Sequence, residues 1–209
     1  MAPSPEAAPA RLTILSLLPS ATDIILALQL HPHLLGATHE CPLSALPAAA
    51  AVLTVDGLPG GSPSQRVIND LVSRQYPPGA DPADYPSLYA IDADAFRGAV
   101  EAGRRDGGEV VVITQDLCGV CAPSASSLER AMCGSSSGGG GGVEGLTLVV
   151  LAPQGVQEVA DTFVEVAAAC GVPGRGAALR DGFLSGLEAL RAAVAAGREA
   201  AGMRERPGM

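Results

Sequence analysis

The feature that most constrains the fold of this chain is a series of short apolar runs, each followed by a segment whose apolar residues recur at helical spacing. The clearest runs cover residues 12–18, 109–114 and 146–151, and weaker ones cover residues 34–38 and 52–55. A strand that is apolar along its whole length is buried on both faces, as in a parallel sheet covered by helices on each side. The alternation therefore predicts an α/β fold with a Rossmann-like parallel sheet sandwiched by helices.

Helical spacing is clearest in the last quarter of the chain. Residues 154–169 predict one helix, which Gly171 and Pro173 should end, and residues 176–201 predict a second, longer helix. Apolar residues mark one face of this long helix: Leu179, Phe183, Leu187, Leu190 and Val194. Shorter helices are predicted at residues 67–72, 95–105 and 124–132.

Composition shifts divide the chain into three parts. Residues 1–10 are rich in Pro and Ala and predict a disordered arm. Residues 11–152 contain all the predicted strands, and within them the Gly/Ser-rich segment 134–142 predicts a flexible loop. Residues 153–209 contain the two long helical patterns and no predicted strand.

Charge and composition exclude several classes of function. The net charge is −9 and the 13 basic residues, all Arg, form no cluster, so neither nucleic acid nor an anionic membrane is an expected partner. The N-terminus has no signal-peptide pattern and no apolar run is long enough to span a bilayer, which predicts a cytoplasmic or otherwise intracellular protein without membrane insertion. No nucleophile elbow, no GxGxxG motif after a strand and no P-loop lysine is present, so an enzyme is not predicted.

Polar and thiol residues are concentrated where the predicted strands end. Ligands of parallel sheets bind outside the carboxyl ends of the strands, and segments 19–23, 38–42 and 115–121 project there. Ser20 stands three residues before Asp23, which predicts a capping-box helix start whose N-terminus could face an anionic ligand. The candidate ligand-binding residues are Ser20, Ala21, Thr22, His39, Glu40, Tyr89, Gln115 and Asp116. Helix capping, core packing and ordinary loop hydrogen bonds are the alternative roles for these side chains.

Cysteine and histidine residues on the same loops suggest a metal site. His39, Cys41, Cys118 and Cys121 would give tetrahedral zinc one imidazole and three thiolates. The pair Cys118-x-x-Cys121 could also be a redox pair, or all of these thiols could simply pack beneath the loops. The remaining cysteines, Cys133 and Cys170, are interpreted as small hydrophobic residues in helices.

Four segments resemble a known family. They are LSLLPSATDI at residues 15–24, LGATHECP at 35–42, SLYAID at 87–92 and TQDLCGVCA at 114–122. In this order they resemble the class III substrate-binding proteins of ABC importers, the cobalamin and iron-siderophore group, and most closely the subgroup usually labelled cobalamin-binding. The resemblance covers roughly residues 11–206.

The resemblance implies a small-molecule binding protein with cobalamin or a related tetrapyrrole as ligand and no required cofactor. In that family one long helix joins two lobes that grip the ligand between them. Residues 11–152 match the first lobe and residues 176–201 match the joining helix, so the expectation is an incomplete protein whose partner is a second lobe or a second copy. Residues 64–66 lack the carboxylate that family members can use for docking, which argues against docking to an ABC permease. The alternatives are a thiol-based zinc-binding or redox protein on the same fold, and a truncated product with structural content only.

Overall fold

A computed structural model of the chain describes residues 6–42, 44, 46–57, 64–77, 88–117, 123, 128 and 145–201. Five parallel strands form the main sheet, in the order β3-β2-β1-β6-β7. These strands are β1 (Leu12–Ser16), β2 (Leu34–Ala37), β3 (Ala51–Val52), β6 (Glu109–Gln115) and β7 (Leu146–Leu151). Two further strands, β4 (Thr54–Asp56) and β5 (Tyr89–Ile91), pair antiparallel in a small separate sheet.

Helices cover both faces of the main sheet, with α1 (Pro19–Ala27) and α4 (Val156–Ala169) on one face and α3 (Ala93–Arg104) on the other. The remaining helices are α2 (Gln65–Gln75), which has no buried residue, and α5 (Pro173–Ala200), which packs mainly on α4. The predicted α/β class, with a Rossmann-like parallel sheet and a long C-terminal helix, is confirmed. Within the described ranges, no helix is both long enough and apolar enough to cross a membrane.

The central strands bury alternate side chains in two separate cores. Ile14 and Ile113 point to the face covered by α1 and α4, where they pack with residues such as Ile25 and Val166. Their neighbours point to the other face, where Leu15 and Val112 belong to the cluster around Phe96 of α3. Since both faces are buried, these strands are apolar at most positions on both faces, which is the pattern that predicted them from the sequence.

Two local features differ in detail from what the sequence predicts. Residues 52–55, interpreted as a strand or an extended piece, belong to two strands that are divided at Leu53, which is fully buried. The N–H of Leu53 donates to the carbonyl of Ala37 and its own carbonyl accepts from Asp92, so the chain leaves the main sheet there. The capping box at Ser20 is also absent, because Pro19 takes the first helical position and Leu18, in extended conformation, precedes the helix without a side-chain cap.

Proline also explains the start of α5. Pro173 was expected to end the preceding helix, but it opens the next one, so α5 begins before residue 176. Gly171, with φ of 72°, makes the turn between the two helices in the left-handed conformation that glycine tolerates. The fixed φ of proline suits the first helical turn, where its missing N–H has no helical acceptor.

Residues 6–10 are held against the lobe and do not belong to the disordered arm that composition predicts. The carboxylate of Glu6 accepts a hydrogen bond from the N–H of Gly174 at 2.9 Å. The guanidinium of Arg175 donates both to the carbonyl of Glu6 and, at 2.9 Å, to that of Leu28. Residues 1–5, the predicted loop 134–142 and, apart from Leu128, the predicted helix 124–132 lie outside the described residues.

Candidate functional site

The direction in which the chain adds strands reverses between β1 and β6, which are paired neighbours in the middle of the sheet. From β1 the chain continues outward to β2, and from β6 it continues outward to β7 on the opposite side. Helices of neighbouring crossovers diverge at such a reversal and leave a crevice outside the carboxyl ends of the strands. The segments that follow β1, β2 and β6 carry most of the predicted ligand-binding residues.

A buried chain of hydrogen bonds joins β1, α1 and the loop after β2. The hydroxyl of Ser16 donates to the carbonyl of Leu18 at 3.0 Å, and that of Thr22 donates to Ser16 Oγ at 2.9 Å. Cys41 Sγ lies 3.0 Å from Thr22 Oγ1, and because Thr22 has already given its proton, the thiol is the donor. Burial raises the pKa of Cys41, against a lowering effect of this hydrogen bond, so the group stays a thiol at neutral pH.

The predicted residues of α1 do not share one surface. Ala21 and Thr22 are fully buried, and Thr22 is engaged in the hydrogen-bond chain. Ser20 is exposed on another side of the helix. The structure therefore separates Ser20 from the two residues with which it was grouped.

His39, Glu40 and Tyr89 come together at the carboxyl edge of the sheet. Thr54 Oγ1 accepts the backbone N–H of His39 at 3.1 Å and lies 2.7 Å from its Nδ1, so one hydroxyl fixes the orientation of the imidazole. The ring of Tyr89, on β5, packs against this imidazole with 5.0 Å between centroids and 58° between planes. Pairing of β4 with β5 brings these residues together from distant parts of the sequence.

The second nitrogen of His39 is the least satisfied polar atom of this group. Nε2 is buried and has no hydrogen-bond partner within the described part of the chain. Its nearest charged neighbour is Glu40 Oε1 at 3.4 Å, a long distance for a hydrogen bond, and the Glu40 side chain is 51% exposed. A buried nitrogen without a partner is costly, which marks this point for an incoming ligand.

The other predicted residues lie at the end of β6 or outside the described ranges. Gln115 is nearly buried, and its Oε1 accepts the N–H of Leu117 at 2.7 Å, while Asp116 is exposed. Cys118 and Cys121 fall outside the described residues. Among those described, no three His, Cys, Asp or Glu side chains are close enough to hold a metal ion. Cys170 is fully buried among apolar residues, as expected, and burial raises its pKa to about 12.

Sequence reasoning missed a cleft of about 660 Å³ beside the carboxyl ends of β6 and β7. It lies between α1, α4 and α5, and of the predicted ligand-binding residues only Ser20 and Gln115 line it. The remaining polar lining residues are Asp23 and Thr162. Helical spacing gave only a partial signal, because each helix lines the cleft with residues three or four apart, such as Leu179 and Phe183, but the spacing does not indicate which helices meet.

Comparison of this chain with models of protein families, with curated proteins and with solved structures gives no match. The four quoted segments therefore carry the family resemblance by themselves.

Proposed function

We propose that this chain is a ligand-binding protein whose ligand occupies the edge site, defined as His39, Glu40 and Tyr89 at the carboxyl edge of the sheet. The observation that carries the proposal is the buried Nε2 of His39, which has no hydrogen-bond partner in the described part of the chain. A neutral imidazole whose other nitrogen is hydrogen-bonded is oriented to bind a metal centre or a polar ligand atom.

The ligand proposed from the family resemblance is cobalamin or a related tetrapyrrole. Imidazole nitrogens bind transition metals, and the Tyr89 ring offers a flat surface with a polar end. Glu40 stands 3.4 Å from Nε2 and is half exposed, so a ligand reaching that nitrogen would displace a carboxylate that is free to move into solvent. Binding of this kind needs no catalytic step.

A titration of the protein with cobalamin, monitored by visible absorbance and by calorimetry, tests the proposal. We expect saturable binding with a spectral change, weakened about tenfold or more by His39→Ala, because the variant lacks the nitrogen that would contact the ligand; tenfold corresponds to about 1.4 kcal/mol. His31→Ala is the matched control, because His31 is exposed in the turn before β2 and should leave binding unchanged. Absence of binding, or equal loss in both variants, would contradict the proposal.

The same geometry supports a second candidate, a zinc-binding or redox protein. His39 Nε2 and Glu40 Oε1 are close enough to ligate one metal ion, and Cys118 and Cys121 could supply thiolates. The raised pKa of Cys41 and its bond to Thr22 weigh against this third thiol as a ligand. About one zinc per purified chain, lost in Cys118→Ser and without cobalamin binding, would favour this candidate.

A further inference from the structure

We propose that the cleft between α1, α4 and α5 is a second binding site, which takes a small molecule with an apolar body and one protonated amino group. His39, Glu40 and Tyr89 of the edge site do not line it. Its volume of about 660 Å³ is within the range of small-molecule sites.

The walls of the cleft are apolar and come from all three helices. Phe163 of α4 and Phe183 of α5 meet edge to face, with 5.3 Å between centroids and 84° between planes. Leu117 and Val159 also line the cleft and are 47% and 37% exposed. A ligand with an apolar body would cover these side chains and remove their surface from water.

Asp23 gives the cleft its charge. It is the one charged residue lining the cleft, and within the described ranges it makes no ion pair. An ammonium group would supply the missing opposite charge, whereas a carboxylate or phosphate would meet a like charge. The net charge of the chain, −9, also attracts cations and repels anions, as Asp23 does locally.

Two of the other polar residues in the cleft already make hydrogen bonds within the protein, so we expect the ligand to have a single polar end. Thr162 Oγ1 already donates to the carbonyl of Val159 at 2.6 Å, and Gln115 Oε1 accepts from Leu117. Ser20 and Asp23 lie three residues apart on the cleft side of α1, so hydroxyl and carboxylate can accept hydrogen bonds from one ammonium group.

Calorimetric titration of the full chain with three matched probes tests this inference. The probes are 2-(1-naphthyl)ethylamine, 2-(1-naphthyl)ethanol and 1-naphthylacetate, which share an aromatic body and differ in charge. We expect the amine to bind about tenfold more tightly than the alcohol, and the carboxylate to bind most weakly. Asp23→Asn should remove the preference for the amine and retain binding of the alcohol. Glu101→Gln, on the helix that covers the other face of the sheet, changes net charge equally and should keep the preference.

A substitution that fills the cleft with a side chain tests whether the probes bind there. Gly182 lines it, and a Cβ added there meets no atom within 4 Å, so Gly182→Leu should abolish binding of all three probes without unfolding the lobe. Gly186→Leu, one turn further along α5, also meets open space but does not line the cleft, and should bind normally. A urea midpoint no lower than that of wild type verifies folding of both variants.

Three binding results would overturn the inference. They are equal or tighter binding of the carboxylate, binding of the amine that survives Gly182→Leu, and failure of every probe to bind. Sedimentation that shows a dimer dissociated by Gly182→Leu would also overturn it, because a second copy would then occupy the cleft. None of these results depends on cobalamin binding at the edge site.

Discussion

Single hydroxyl groups fix much of the geometry near the carboxyl edge of the sheet. Thr54 orients His39 through both a backbone and a ring nitrogen, and Thr22 stands between Ser16 and Cys41. Because these hydroxyls are buried, each has few alternative partners, and loss of one leaves its neighbours unsatisfied.

Thr22→Val should lower the free energy of unfolding by about 1 to 3 kcal/mol. Valine keeps the shape of threonine, but the thiol of Cys41 loses its acceptor and Ser16 loses a donor. Urea unfolding measures the change. Thr147→Val, at an exposed position of β7, is the control and should stay within about 0.5 kcal/mol of wild type. Equal effects of both substitutions would contradict the assigned hydrogen-bond chain.

Stability should fall at alkaline pH because of Cys170. Burial raises the pKa of this thiol to about 12, from 9.0 for an unperturbed cysteine. As pH rises from about 9 towards 12, the unfolded chain loses this proton while the folded chain keeps it, so the free energy of unfolding falls by up to about 1.4 kcal/mol per pH unit. Below about pH 9 the contribution is constant.

Urea unfolding of wild type and Cys170→Ala between about pH 8 and pH 10.5 tests this expectation. The variant starts from a lower stability, because alanine leaves a small cavity, but its stability should depend less on pH. Parallel curves for the two proteins would show that Cys170 does not titrate on unfolding.

At the scale of elements, the contact between α4 and α5 depends on one glycine. A Cβ at Gly176 would lie 2.5 Å from the Cβ of Ala167 and 2.6 Å from the carbonyl oxygen of Phe163. The two helices can approach this closely only because glycine has no side chain. Phe163 and Phe183 pack edge to face in the same helix contact.

Gly176→Ala should therefore destabilise the protein by about 1 to 3 kcal/mol, despite the better helix propensity of alanine. Gly186→Ala, in the same helix but with open space around the new Cβ, should stabilise it by about 0.5 to 1 kcal/mol. Thermal unfolding of both variants measures the difference. A change in stability of the same sign in both variants would disprove the close approach at Gly176.

Elements that are buried on both sides were predictable from the sequence, and their boundaries were less so. Runs such as residues 109–114 favour a central strand, because they are too short for a typical helix and are rich in β-branched residues. A proline can follow the end of one helix or occupy the first turn of the next, so its position alone does not fix a helix boundary. Pro19 and Pro173 both begin helices. The division at Leu53 depends on pairing with β5, which lies far along the chain and leaves no local signal.

The two candidate sites also differ in how far the sequence predicted them. Grouping by strand ends placed His39 and Glu40 together on the loop after β2, whereas Tyr89 lies on β5 and reaches His39 through the pairing of β4 with β5. It did not reveal the cleft, because helical residues such as Phe163 and Asp23 form it through tertiary packing. Their periodicity indicated only that each helix has an apolar side, and not which helices meet.

At the scale of the whole molecule, α5 extends beyond the lobe. Its 28 residues span about 42 Å, and only its first half packs on α4. Leu190 and Val194, on the face that sequence periodicity identified, are 60% and 52% exposed. The second half of this helix therefore adds apolar surface without adding to the core.

Leu190→Gln combined with Val194→Gln should leave the free energy of unfolding within about 0.5 kcal/mol of wild type. Leu179→Ala, in the half of α5 that packs against the core, should lower it by about 2 kcal/mol. Urea unfolding at low protein concentration compares the two. A large loss of stability in the double variant would mean that the distal half of α5 is packed in solution.

The position of β1 has a consequence for how the protein is made. This strand is synthesised before all the other strands of the sheet described above, yet it occupies the middle of the finished sheet. One of its neighbours, β6, is synthesised only at residues 109–115, and Arg175 follows later to hold the carbonyl of Glu6. Until β6 has been synthesised, β1 lacks one of its two neighbouring strands, and collapsed, aggregation-prone states compete during that time. Completion of the lobe also needs α5, so the lobe closes around a strand that was made well before the helix that completes it.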